Sequence, residues 1–217
     1  MIDNFYLLVA MPRSGSKFVD RNLNEYIKHK RNNSGSSLGC QSIFCQQNEK
    51  DKIIVNSKWQ TNILNDISLL YDIINKHTFY TTAKIHPVSI WEKDLIKKLN
   101  GNAFKSIATV RCNKFEQCIS ECVCLKTQIW QFNLELFKAL NYFSSNPFEI
   151  DEEFFIKRLK LIFLYNHYLD RQYTAKHLYF EDIITIKDNR DFCTHLDLPF
   201  VDFSMDSYFV EEYGDKK

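Results

Sequence analysis

Hydrophobic positions along the chain fall into short unbroken runs separated by stretches of helical period. The run FYLLVAM at 5–11 shows no alternation, breaks at Pro12, Ser14 and Gly15, and passes into a polar segment that continues as a helix. IIVNS at 53–57 predicts a short strand, and Ile63, Ile67, Leu70, Tyr71 and Ile74 share one face of a helix over 60–76. FYTTAKI at 79–85 is β-branched and aromatic, hence a strand, and Pro87 stops it. A short helix over 91–99, a strand FKSIATV at 104–110 and a helix from Asn113 follow. In that helix Phe115, Cys118, Ile119 and Cys122 define the inward face and leave Ser120 off it. Helices over 129–143 and 153–172 come next, the second with Phe155, Leu159, Ile162, Phe163 and Asn166 in register. KHLYF at 176–180 predicts the last strand, and the segment to Phe200 reads as a turn, a short helix and a proline stop. Residues 31–51, rich in Ser, Asn and Gln and without period, predict a long loop near the site, placed to cover a substrate.

Strands alternating with helices predict an α/β fold, a three-layer sandwich with a central parallel sheet and helices on both faces. Ligands of such sheets bind at the carboxyl ends of the strands, where Gly15, His86 and Arg111 all fall. No linker and no internal repeat divides the 217 residues, so one domain over 1–217 is expected.

Charge narrows the partners. Lysine and arginine total 28 against 27 aspartates and glutamates, so no global field attracts nucleic acid or an anionic membrane, and any anion site is local. No apolar stretch reaches the roughly 18 residues of a membrane span. Seven cysteines, an odd number without paired C-x-x-C spacing and without a secretory pattern before them, lead us to expect reduced thiols and a cytoplasmic protein. Cys118, Cys122 and Cys124 on one helix, with Cys112, cannot aim their thiolates at one tetrahedral centre, which argues against zinc.

The chemistry concentrates at residues 12–17. A strand, a tight turn and a helix start leave the first backbone N–H groups of the helix unpaired beside the positive end of its dipole, and phosphate or sulfate suits such a place. Arg13 and Lys17 bracket the turn with positive charge, Ser14 and Ser16 add hydroxyls, and Gly15 admits close approach of the backbone to a ligand. The phosphate loop of nucleotide kinases, G-x-x-x-x-G-K-[ST], is excluded: the position five before Gly15 is Ala10, and Lys17 stands two residues after Gly15.

Pro12-Arg13-Ser14-Gly15-Ser16 instead resembles the 5′-phosphosulfate loop of the sulfotransferases, P-[KR]-S-G-[ST]-[ST], from which Lys17 departs. ATVRCNKFEQCIS is similar to the family's second signature, a strand ending in Arg with a serine eight or nine residues on, here Arg111 and Ser120. QCISECVCLKTQIW resembles a segment of the bacterial sulfotransferases that act on trehalose and related carbohydrates, with Gln117, Ser120, Thr127 and Trp130 in register. Phe180, Glu181, Asp182 and Ile183 stand where that family has Y-E-D-L, and THLDLPF resembles its helix stop.

The resemblance spans about residues 5–200 and implies a P-loop-like fold. It further implies transfer of a sulfuryl group from 3′-phosphoadenosine 5′-phosphosulfate to a hydroxyl of a carbohydrate or other small acceptor, leaving adenosine 3′,5′-bisphosphate. On it, Arg13, Ser14, Gly15, Ser16, Lys17 and Phe18 bind the 5′ end of the donor, Arg111 and Ser120 bind its 3′-phosphate, and Arg13 also takes part in transfer. Lys84 and His86 of AKIHP stand where cytosolic sulfotransferases carry K-x-H, which implies His86 as base with Lys84 beside it. The trehalose-type enzymes use a loop glutamate, and GCQSIF at 39–44 has none, so Glu25 and Glu49 are the alternatives to His86. A nucleotide- or phosphate-binding module without transfer chemistry and an atypical P-loop kinase are the rival readings.

Overall fold

Tyr6–Ala10 is buried at all five positions, which a strand can achieve only with neighbours on both edges and layers on both faces. In the computed structural model, which describes residues 5–33, 41–43, 72, 80–85, 105–127, 149–172 and 175–205, this segment is the middle strand of a parallel sheet. The elements are β1 (Tyr6–Ala10), α1 (Ser16–Asn33), β2 (Gln41–Ile43), β3 (Tyr80–Ile85), β4 (Lys105–Val110), α2 (Lys114–Thr127), α3 (Glu152–Gln172), β5 (Lys176–Tyr179), α4 (Phe180–Ile183) and α5 (Asn189–His195). Four strands, β3, β1, β4 and β5, lie side by side, and the three-residue β2 extends the β3 edge, giving the order β2-β3-β1-β4-β5. Leu8 sits opposite Lys84 of β3 and Ile107 of β4, so both neighbours run level with β1.

The alternation of side chains sorts β1 between two layers. Tyr6, Leu8 and Ala10 join the core formed with Leu23 and Tyr26 of α1 and Phe192 of α5. Met11 belongs to the opposite series and packs with Cys118 and Cys122 of α2 and Ile162 and Tyr165 of α3. The parallel sheet with helices on either face is therefore as the alternating pattern predicts. Between α1 and β3 lies a buried polar seam: Thr82 Oγ1 donates to Asp20 Oδ1 at 2.7 Å, and Asn24 Nδ2 donates to Thr82 Oγ1 at 3.2 Å.

Several expectations change. The stretch 31–51 is not one loop: α1 runs on to Asn33 and Gln41–Ile43 is strand β2, because pairing with the edge of β3 supplies what the local pattern lacks. Phe180 opens α4 and does not end β5. The inward face of α2 is rotated from the expected one: Cys118 and Cys122 are buried, but Phe115 is 55 % exposed, and Gln117 and Glu121 are buried in its place. On α3 Phe163 is 56 % exposed, and the buried stripe is Ile162, Tyr165, Asn166 and Leu169. The readings at 53–57, 91–99 and 129–143, and that at 60–76 apart from the helical Asp72, lie outside the described residues. No helix among the described residues is long and apolar enough to cross a membrane.

Glu121 explains the rotation of α2. Its carboxylate, 1 % exposed, pairs with Arg158 of α3, whose side chain is 24 % exposed, and this bond joins the two helices. A buried charge is tolerated only with such a partner. Glu121→Ala should therefore lower stability in urea unfolding by about 2 to 3 kcal/mol, toward the low end for a broken buried pair because Arg158 keeps contact with water. Replacing Glu121 and Arg158 together by leucine should recover most of the loss, and a double variant as unstable as the single one would show that the pair does not join the helices.

Candidate functional site

The strand order places the site. From β1 the chain crosses towards β2, and from β4 it crosses towards β5, so the connections leaving these adjacent strands diverge. A crevice opens at such a point beyond the carboxyl ends of the strands. The turn 11–15 follows β1 there, and Arg111 follows β4.

The turn is held from below and from the side. Ser14, fully buried, donates its hydroxyl to the carbonyl of Met11 at 2.7 Å, and the same oxygen lies 2.7 Å from Thr109 Oγ1. A hydroxyl carries one hydrogen, so Thr109 is the donor of the second bond. The Ser14 side chain therefore fixes the turn to β4, and what it presents to a ligand is its backbone N–H. Gln117 Nε2 donates to the carbonyl of Pro12 at 2.8 Å, and Arg13 Nε donates to Ser120 Oγ at 2.8 Å. Two residues of α2, three apart, thus grip two consecutive residues of the turn.

Two backbone angles shape it. Arg13 has φ of 64° and Gly15 has φ of 80°, both left-handed. At Gly15 an added Cβ would stand 3.1 Å from Ile183 Cδ1 and 3.3 Å from Phe180 Cδ2. Glycine is required by this angle and by contact with α4, in addition to any approach of a ligand.

Helix starts offer the electrostatic comparison. The first turn holds Glu116 in α2, Glu152 and Glu153 in α3, Glu181 and Asp182 in α4, and Asp191 in α5. The first turn of α1 holds no acid. At α5 the cap Asp188 accepts from the N–H groups of Arg190 and Asp191, and just before α2 the Glu181 carboxylate accepts from Cys112 N at 3.0 Å and Asn113 N at 3.2 Å. Among the described residues the N–H groups of Ser14, Gly15 and Ser16 have no such partner. Among the described helices of eight residues or more, the positive end of α1 is the one whose first turn carries no acid.

Burial pushes the Glu181 carboxyl up, but the N–H groups of Cys112, of Glu181 itself and of Asn113 outweigh burial and hold it below its ordinary value. Burial pushes the Cys118 thiol up to about 12, and Cys122, Cys124 and Cys193 are raised by burial too, as suits packing groups.

Not every residue singled out in the sequence joins the crevice. Phe18 turns inward: its ring is 3 % exposed, edge-on to Phe192 in the core, and its N–H bonds the carbonyl of Gly15. Ser16 and Lys17 stand in the first turn of α1. Arg111 and Ser120 do not bond each other; Arg111 Nη2 donates to Glu116 Oε2 at 2.8 Å, and its guanidinium lies 4.4 Å from the centroid of Phe180. Lys84 is the penultimate residue of β3, beside Leu8, while His86 and Glu49 lie outside the described residues. Glu25 is paired with Lys28 at 3.2 Å and sits nine residues into α1, about 13 Å along the helix from its start. Sequence reading passed over Thr109 and Glu116. Asn113 followed three residues on by Glu116 is a helix-start signal that points to the second of these.

Gly15→Ala should cost about 1 to 2 kcal/mol for the left-handed angle alone, with crowding against Ile183 added, and should lower Tm. A melting temperature equal to that of the parent would contradict the role given to this angle. Because Glu181 is held below its ordinary value, its stabilisation is complete above the range, about 4.3, in which a free glutamate titrates, and is lost as pH falls through the lower folded value. The stability gap between the parent and Glu181→Gln should accordingly be largest near pH 7 and shrink towards pH 3, and a gap independent of pH would count against this capping bond.

Compared with models of known protein families and with curated proteins, the chain matches none.

Proposed function

We propose that the protein is a sulfotransferase that moves a sulfuryl group from 3′-phosphoadenosine 5′-phosphosulfate to a hydroxyl of a carbohydrate or other small acceptor, on a P-loop-like three-layer sandwich. The observation that carries this reading is the acid-free start of α1 at the divergence of β1 and β4, with Arg13, Ser120 and Arg111 around it. The P-R-S-G-S turn and the Arg111 and Ser120 spacing, both similar to sulfotransferase motifs, occupy that one crevice.

The roles follow from charge and position. The N–H groups of Ser14, Gly15 and Ser16, with Arg13 and Lys17, meet the 5′ end of the donor and offset the charge that gathers on the departing phosphate. Arg13 is steadied for this by its bond to Ser120, whose own hydrogen remains available to a phosphate oxygen. Arg111, with a buried Nε that has no partner among the described residues, is the group for the 3′-phosphate. In transfer the acceptor oxygen bonds to sulfur as the sulfur–oxygen bond to the 5′-phosphate breaks. Its proton passes to a base, for which we propose His86 with Lys84 beside the moving group, the pair that stands where cytosolic sulfotransferases carry K-x-H.

Adenosine 3′,5′-bisphosphate should therefore bind more tightly than 5′-AMP in a calorimetric titration. Arg111→Ala should remove about 1.5 to 3 kcal/mol from binding of the bisphosphate and leave 5′-AMP unaffected. Equal affinity of the parent for both nucleotides would overturn the reading.

A further inference from the structure

Arg111 is held on two sides by groups of unlike character. Its guanidinium lies over Phe180, at the start of α4, and its Nη2 donates to the carboxylate of Glu116 in the first turn of α2. The Arg111 side chain is 14 % exposed and that of Glu116 is 59 % exposed. Phe180 fixes the plane of the guanidinium, whereas Glu116 can turn into water without desolvation.

Among the described residues Arg111 is the one side chain that the Glu116 carboxylate bonds. The backbone N–H of Glu116 is capped by Asn113 Oδ1 at 3.1 Å, and the N–H groups of Cys112 and Asn113 are taken by Glu181. In a reciprocal capping pair the glutamate would reach back to the N–H of the cap residue. Here Glu181 has that N–H, and the Glu116 side chain goes to Arg111 instead.

We propose that Glu116 is an internal competitor for Arg111, a carboxylate that a phosphate monoester dianion must displace and that thereby tempers affinity for it. This rests on the reading of Arg111 as the group for a nucleotide 3′-phosphate. A ribose hydroxyl is neutral and cannot displace a carboxylate from a guanidinium. A phosphate monoester brings a charge of about −1.5 to −2 and three strong acceptor oxygens, and so it can. Glu116 then rotates outward, and no bond is made or broken covalently. The competitor lowers affinity for the phosphate-bearing ligand and leaves a ligand without that phosphate unaffected.

The test is a calorimetric titration of adenosine 3′,5′-bisphosphate and of 5′-AMP into the parent and into Glu116→Gln, at low salt. Glu116→Gln should bind the bisphosphate about two- to fivefold more tightly, the range expected for an exposed ion pair, and should bind 5′-AMP as the parent does. Glu116→Ala, which keeps the Asn113 cap, should shift binding in the same direction. If the parent prefers the bisphosphate and neither variant raises that preference, the role of Glu116 is overturned and the 3′-phosphate reading stands. If the parent shows no preference, that reading falls and the role of Glu116 falls with it.

Discussion

The bond between Ser14 and Thr109 is the constraint on which the site depends. It joins residues 95 apart in sequence, beneath a turn in which Arg13 and Gly15 both take left-handed angles. A turn so shaped is stable only when its surroundings over-determine it. β4 holds it through Thr109, α2 through Gln117 and Ser120, and α4 through the contact of Ile183 and Phe180 with Gly15. Each of these elements follows β1 at a distance in the chain, yet all meet at one end of the sheet because β1 is its central strand.

How much of this was legible in the sequence differs by level. β1 was readable because a strand covered on both faces needs an unbroken apolar run, and β3 and β4 were readable from their β-branched residues. β2 was not, since its three residues become a strand only through pairing with Tyr80, Thr82 and Ala83 of β3. The face of α2 was misjudged for a related reason. Gln117 and Glu121 look like solvent positions until Pro12 and Arg158 are known to stand opposite them. Partners that distant leave no local signal.

The candidate site shows the same division. The order of turn, Arg111 and Ser120, each after its own strand or on the helix that follows, was visible from spacing. The direction of side chains was not. Ser14 and Phe18 both sit within the motif, but one hydroxyl turns down to Thr109 and one ring turns into the core beside Phe192. A motif fixes the path of the backbone more firmly than it fixes which of its side chains meet a ligand, because the helix that begins there must also pack against the sheet.

Electrostatics then separates two helix starts that lie side by side in space. Just before α2, Glu181 supplies the negative charge from within the chain, and its bonds to Cys112 and Asn113 anchor α4 to the end of β4. The first turn of α1 holds no acid, and Arg13 and Lys17 stand on either side of its start. Had both starts been open, two anion sites would compete at one sheet edge; had both been capped from within, none would remain. Among the described helix starts, closing one with a carboxylate and leaving its neighbour acid-free puts the open N–H groups directly after β1, the strand whose burial organises the sheet.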